Sequence, residues 1–115
     1  MTKRRSNYMK QADASFSKWI RARDGQCQAK DGRDCSGNLQ CAHLISRSYK
    51  AIRTNPDNAV ALCQGHHVFY THRPLEWREW VEARFPGRWD ELQKVALAYP
   101  RVDWKSQAAH WKAQL

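Results

Sequence analysis

The stretch that decides the fold is interrupted by a polar loop: it runs Leu39-Gln40-Cys41-Ala42-His43-Leu44-Ile45 and resumes at Asn58-Ala59-Val60-Ala61-Leu62-Cys63-Gln64-Gly65-His66-His67. Its first part alternates with a period of two, which predicts a short strand with Leu39, Cys41, His43 and Ile45 on one face. Ala59 to Leu62 predicts a second strand, buried on both faces. Gly65 to His72 then allows two helical turns before Pro74. The stretch therefore predicts a hairpin followed by a helix.

Size and charge favour a polyanionic partner. The chain has 115 residues, which suits one domain, and its 20 Lys and Arg against 11 Asp and Glu give a net charge of +9. The net charge of a small domain usually has a magnitude of roughly 2 to 8. Nucleic acid is therefore the first expected partner and an acidic membrane surface the second, while a purely solubilising surface remains an alternative. No apolar run approaches the ~18 residues of a membrane span, and no basic-then-apolar secretory signal opens the chain, so we expect no membrane-spanning segment and a cytoplasmic location. Of the two possible partners we therefore expect nucleic acid and not a membrane.

The two ends of the chain are not assigned to the predicted domain. Residues 1–11 are polar and basic, which predicts a flexible arm that lies along a phosphate backbone or has no role. Residues 101–115 contain two tryptophans without an evident partner and are predicted to be a tail. The domain itself is predicted to span residues 12–100.

Helical spacing recurs on both sides of the hairpin. Phe16, Trp19 and Ile20 share one helical face, and Gly25 suits the end of that helix. Apolar residues in 75–85 and 89–99 predict two further helices, separated by Pro86-Gly87. The tryptophans of these helices are expected to pack in the core rather than to stack on bases.

Four cysteines in a chain expected to be cytoplasmic predict a metal site before they predict disulfides. Zinc takes four nitrogen or sulfur ligands, usually as two close pairs. Cys63 and His66 form one pair, and Cys27 and Cys35 form the other. Cys41 is a fifth candidate, which could displace Cys27 or be a small core residue.

The adjacent His66 and His67 are expected to have separate duties. Consecutive side chains on a helix point about 100° apart, so they cannot comfortably bind one ion. His66 is assigned to the zinc, and His67 faces elsewhere. A surface histidine without a duty is the alternative for His67.

Together, His43, Asn58 and His67 within the quoted motif resemble the HNH endonuclease family, in the form with an added zinc-binding cysteine set. His66 takes the place of the family's second cysteine. Phe16 to Gly25 and Ile45 to Ser48 are also similar to small phage-type HNH proteins, including the NinG recombination group. The resemblance covers residues 13–99. It implies an α+β fold: a ββα-metal core (HNH, or His-Me finger) with a structural zinc site, an N-terminal helix and two C-terminal helices.

The resemblance implies a metal-dependent DNA endonuclease or nicking enzyme of phage type, a hydrolase acting on phosphodiester bonds. His43 would take a proton from the attacking water, and Asn58 would fix the orientation of His43. His67 would bind a catalytic divalent ion such as Mg²⁺, Mn²⁺ or Ni²⁺, separate from the structural Zn²⁺. Phosphate contacts are expected from Arg47, Lys50 and Arg53, with ordinary solvated charges as the alternative.

One position departs from the family pattern. Ala42 stands where the family usually places an Asp or His ligand for the catalytic ion, and Thr71 stands where some members carry another histidine. The ion would then bind through His67, water and substrate phosphates, or activity would be weak or need a partner.

Ala42 also supports an alternative function, a non-catalytic zinc-containing nucleic-acid-binding module derived from an HNH nuclease. A more remote interpretation is a protein-interaction zinc domain that uses the tryptophan-rich C-terminal helices, which an exposed patch around Trp77 or Trp80 would support. For the nuclease, the implied partners are DNA and, in a phage setting, other DNA-processing proteins in the host cytoplasm. A monomer would nick and a dimer could cut both strands; both states remain open.

Overall fold

Within residues 3–115 the chain folds into five α-helices and a two-stranded sheet. The computed structural model describes these residues, with side chains described from residue 7 onward. In chain order the elements are α1 (Lys3–Asp24), β1 (Leu39–His43), β2 (Ala59–Cys63), α2 (Gln64–Thr71), α3 (Pro74–Arg84), α4 (Arg88–Leu97) and α5 (Trp104–Ala113). Two short 3-10 turns, Lys50–Ile52 and Pro56–Asn58, lie in the connection between the strands. The predicted α+β class is confirmed.

The strands form the predicted antiparallel hairpin, and α2 follows β2 without a loop. Leu39 pairs with Cys63 at one end of the hairpin, and His43 pairs with Ala59 at the other. All five residues of β2 are buried. This burial on both faces is confirmed because Ala59 and Ala61 pack toward α1, whereas Val60 and Leu62 join the core formed with α3 and α4.

The start of the chain differs from the expected flexible arm over residues 1–11. α1 is already helical at Lys3 and continues for 22 residues, while residues 1 and 2 lie outside the described part. Tyr8 and Met9 pack against the buried Ala12 and α5. This tertiary packing stabilises a helix whose own sequence signal is weak. The predicted end is confirmed, since Gly25 has a φ of +70°, where glycine pays no steric penalty.

The end of the chain is a helix and not a tail. In α5, Trp104, Ala108 and Trp111 follow helical spacing and are buried. The Trp111 ring packs edge-on against Phe16, with centroids 5.0 Å apart. Three helices therefore follow α2, rather than the two that we expected. The periodicity was present in the sequence, but its partner surface lies on α1, about 90 residues away.

The core formed by β2 with α3 and α4 contains Trp77, Val81 and Leu92, which are buried together. The Trp77 indole also donates to the Leu44 carbonyl at 3.0 Å, which ties α3 to the end of β1. Trp80 stacks on Trp77 with centroids 5.1 Å apart and is half-buried. Since Trp77 is buried and Trp80 packs on it, these two residues do not form the exposed patch that would have supported a protein-interaction domain.

No helix within residues 3–115 has the length and apolar content needed to cross a bilayer.

Candidate functional site

Three cysteines and one histidine meet between the hairpin and α2. The ligand atoms of Cys27, Cys35, Cys63 and His66 all lie within 4.8 Å of one another. His66 Nδ1 lies 3.0 Å from the Cys63 sulfur, 3.6 Å from that of Cys27 and 3.7 Å from that of Cys35. In a tetrahedral zinc site the edge between a nitrogen and a sulfur ligand is about 3.5 Å. The Cys3His cluster could therefore hold a metal ion such as zinc.

Local structure explains how Cys63 and His66 reach the cluster. Cys63 is the N-cap of α2, where its sulfur accepts the His66 backbone N–H at 3.4 Å. The helix N-terminus favours negative charge, so the position suits a thiolate. The Cys-x-x-His spacing places both ligands on one turn.

Two upstream segments deliver the remaining cysteines. Gln28 N donates to the Ala61 carbonyl at 2.9 Å, which holds the Cys27 loop against β2. The Cys35 loop is held by Gly65 N, which donates to the Ser36 carbonyl at 3.0 Å. A Cβ on Gly65 would collide with the Ser36 hydroxyl. The glycine therefore allows the Cys35 loop to approach α2 closely.

The cysteines of the cluster are not equivalent in acidity. Burial raises the pKa of Cys63, but hydrogen bonds from the backbones of His66 and Ser36 outweigh it and lower the pKa to about 6. Desolvation, together with bonds to Cys63 and Cys27, raises the pKa of Cys35 to about 11. One sulfur is thus already anionic near neutral pH, as a metal ligand must be.

Cys41, the fifth candidate ligand, lies outside the cluster. Its side chain lines a different cavity, and burial raises its pKa to about 12. Its thiol is therefore protonated at neutral pH. The structure thus assigns Cys27, and not Cys41, to the metal cluster.

That cavity, of about 570 Å³, lies beside β1 and the exposed end of α2. It is lined by Asp13, Phe16, Ser17, Cys41, His43, Ser46, Arg47, His67 and Thr71. His43 comes from β1 and His67 from α2, so the hairpin and the helix each contribute one imidazole. Arg47 adds a positive charge from the loop after His43. The cavity thus gathers four of the candidate site residues that the sequence singled out, namely Cys41, His43, Arg47 and His67.

The His43 ring is oriented by a backbone carbonyl. Its Nε2 lies 2.8 Å from the Arg53 oxygen, and because a carbonyl only accepts, Nε2 must carry the proton. The lone pair of the neutral ring therefore falls on Nδ1. Burial lowers the pKa of His43, which favours this neutral form. The ring thus has the protonation state of a general base.

The side chain of Gln40 orients the His67 ring in a similar way. Its Nδ1 lies 2.8 Å from Gln40 Oε1, so Nδ1 carries the proton and Nε2 carries the lone pair. Burial also lowers the pKa of His67. Thr71, one turn later, donates its hydroxyl to the His67 carbonyl at 2.7 Å. The lone pair on Nε2 of the neutral His67 ring can therefore bind a cation or accept a hydrogen bond.

Asn58 acts on the loop rather than directly on His43. Its side chain is completely buried. Its oxygen accepts from Ile45 N at 2.8 Å, and its amide nitrogen donates to the Ile45 and Ile52 carbonyls, each at 3.0 Å. These bonds close the loop that carries Arg53. The hydrogen bond to the His43 ring itself is made by the carbonyl of Arg53, which belongs to the loop that Asn58 closes.

The three basic residues that we expected to contact phosphates lie in different parts of the structure. Arg47 lines the cavity, whereas Lys50 lines another cavity of about 330 Å³ together with Arg101. The Arg53 guanidinium is bound by both oxygens of Asp13, at 2.8 and 2.6 Å. Arg53 therefore forms an internal ion pair, and of these three basic residues Arg47 is the one that lies beside the two imidazoles.

Asp13 is a residue of this cavity that we did not single out from the sequence. It lines the cavity and fixes Arg53, whose backbone in turn orients His43. The available signal was weak: Asp13, Phe16 and Ser17 share one helical face by their spacing, but nothing local connects them to residue 53.

No protein-family model, no curated protein and no solved structure matches this chain.

Proposed function

We propose that this protein is a metal-dependent DNA endonuclease of the HNH type, which nicks or cleaves DNA by hydrolysing phosphodiester bonds. The observation that carries the proposal is the cavity shared by His43 and His67, which belong to the strand and the helix of one ββα unit. Both rings are tied to the protein through one nitrogen and retain a lone pair on the other.

His43 is the general base of this proposal. Its Nδ1 accepts a proton from water, and the resulting hydroxide attacks the phosphorus. The Nε2–H bond to the Arg53 carbonyl stabilises the imidazolium that forms. General base catalysis of this kind typically contributes about 10²–10⁴ in rate.

A catalytic divalent ion would be held by His67 Nε2, and when bound it would neutralise the charge on the leaving 3′ oxygen. The other donors of the cavity are few. Ala42 is buried and offers no ligand, and the Asp13 carboxylate is paired with Arg53. An imidazole nitrogen suits an ion such as Ni²⁺ better than Mg²⁺, which prefers oxygen ligands, and the remaining ligands would come from water and substrate phosphates.

In this proposal Arg47 binds the scissile phosphate or a flanking one. It lines the cavity and is exposed, so it can reach a phosphate oxygen. The net charge of +9 adds a long-range attraction for DNA.

The test is the conversion of supercoiled plasmid by metal-loaded protein in the presence of Mg²⁺, Mn²⁺ or Ni²⁺. We expect nicked or linear product, and a rate about 10²–10⁴ lower for His43→Ala. His72→Ala is the matched control, because His72 is exposed just beyond α2 and should leave the rate unchanged. Folded, metal-loaded wild type that leaves plasmid intact, or equal rates for wild type and His43→Ala, would overturn the proposal.

A second candidate is a nucleic-acid-binding module without catalysis. Ala42, buried where a ligand for the catalytic ion is expected, favours it. This function predicts DNA binding that weakens steeply with salt and no dependence of any cleavage on His43. The plasmid experiment above, run beside a salt titration of DNA binding, distinguishes the two.

A further inference from the structure

Asp31 contacts the buried histidine of the metal cluster from the outside. Its Oδ1 lies 3.2 Å from His66 Nε2, while His66 Nδ1 faces the three sulfur atoms. A carboxylate only accepts hydrogen bonds, so Nε2 carries the proton. The lone pair of His66 is thereby directed to Nδ1, the atom that faces the cluster.

The Asp31 carboxylate is itself held in place. The Arg33 backbone N–H donates to Oδ1 at 2.8 Å, and the Arg33 guanidinium binds Oδ2 at 2.5 Å. The same guanidinium lies 3.5 Å from the centre of the Phe69 ring on α2. The loop between Cys27 and Cys35 is therefore anchored to the helix that carries His66, with its carboxylate aimed at the imidazole.

We infer that Asp31 is a positioning residue of the metal centre, whose carboxylate fixes His66 as an Nδ1 ligand and strengthens metal binding. Histidines that bind metals generally donate their second N–H to such a partner, and loss of the partner typically weakens metal binding about 10–100-fold. A cysteine at position 66 would have no second N–H, so the need for Asp31 arises only because a histidine stands there. The inference is independent of the proposed nuclease activity.

The experiment measures metal affinity in the full-length protein by competition with a chromogenic chelator, using Zn²⁺. Asp31→Ala is expected to weaken binding about 10–100-fold. Asp31→Asn keeps an acceptor oxygen but loses the charge, so its loss should be smaller. Asp34→Asn is the matched control in the same loop, since Asp34 is exposed, and it should bind as the wild type does.

A double-mutant cycle separates positioning from a general effect on the loop. In a His66→Cys background, Asp31→Ala should cause no loss of affinity, because the hydrogen bond no longer exists. An equal loss in both backgrounds, or unchanged affinity in the single Asp31→Ala variant, would overturn the inference.

A second measurement needs only the wild-type protein. In the zinc-loaded state, nitrogen-15 NMR of the His66 ring should show Nδ1 bound to metal and a protonated Nε2 in slow exchange with water. Metal on Nε2, or an Nε2 proton that exchanges as fast as that of a free imidazole, would refute the role of Asp31 even if the variants cannot be loaded.

Discussion

The metal cluster and the cavity both contain histidines of α2, yet they differ in how many ligands the protein supplies. The cluster brings together three sulfurs and one imidazole, enough to surround a tetrahedral ion. The cavity offers two imidazoles with one lone pair each, and the neighbouring carboxylate is already paired. Structural metal sites are closed, whereas catalytic sites leave positions for water and substrate. The contrast supports a structural duty for the cluster and a reactive one for the cavity.

The two regions are also joined through α2. Cys63 caps this helix and His66 lies in its first turn, so metal binding at the cluster fixes the helix that presents His67. We therefore expect damage to the cluster to disable the cavity, whereas damage confined to the cavity should spare the cluster. The predictions below test this asymmetry.

Removing the metal should have the largest effect. Binding of structural zinc contributes roughly 10–16 kcal/mol in small domains, as much as the ~5–15 kcal/mol that keeps a whole domain folded. Chelation, or Cys63→Ser, should abolish the cooperative thermal transition measured by circular dichroism. Cys41→Ser is the matched control and should retain both the metal and the transition. A metal-free protein that melts cooperatively near the wild-type temperature would contradict the structural duty.

Asn58→Ala should have an intermediate effect, directed at the cavity. The change removes three buried hydrogen bonds and leaves the Ile45 and Ile52 backbone groups without those partners. We expect a loss of about 3 kcal/mol in the free energy of unfolding, measured by urea denaturation of the metal-loaded protein.

Asn55→Ala provides the comparison for that variant. The Asn55 side chain accepts one hydrogen bond, from Asp57 N. Its loss in Asn55→Ala should lower the free energy of unfolding by about 1 kcal/mol or less. Zinc stoichiometry should be unchanged in both variants. If Asn58→Ala lost its zinc while still folded, the separation between cluster and cavity would fail.

The smallest expected effect is a shift in pH dependence. Burial lowers the pKa of His43, the Arg53 carbonyl opposes this, and the charge of Arg47 lowers the pKa further. Since the base acts in its neutral form, the acid limb of the cleavage rate should lie below the ordinary histidine value of about 6.5. Arg47→Ala removes a lowering influence, so the limb should move to higher pH in single-turnover measurements.

Lys50→Ala is the control for that shift, because Lys50 lines the other cavity and should leave the limb in place. An acid limb that moves to lower pH in Arg47→Ala would contradict the electrostatic argument. An equal shift of the acid limb in both variants would instead indicate a general effect of charge on DNA binding.

Much of the hairpin and of the metal cluster could be predicted because their signals are local. Alternation indicated β1, the buried run indicated β2, and the Cys63-x-x-His66 spacing gave one pair of ligands in a single turn. The helix end at Gly25 followed from one residue's conformational freedom. Each of these features depends on neighbours within about one turn or one strand.

The errors arose where the deciding partner is distant in sequence. Tyr8 and Met9 of α1 pack in one cluster with Trp104 and Ala108 of α5, and neither segment shows by itself that the other provides this surface. Asp13 was missed as a cavity residue because its partner, Arg53, is 40 residues away, and the ion pair between them could not be predicted for the same reason.

By itself, the sequence determined the chemical inventory: which residues can bind a metal, which imidazoles can exchange protons, and which segments alternate as strands. The tertiary structure decided which members of that inventory meet. It placed Cys27 and not Cys41 in the cluster, paired Arg53 with Asp13, and brought the Arg53 carbonyl to the His43 ring. The physical reason is that side-chain chemistry is encoded residue by residue, whereas ligand geometry and hydrogen-bond partners depend on how separate elements pack.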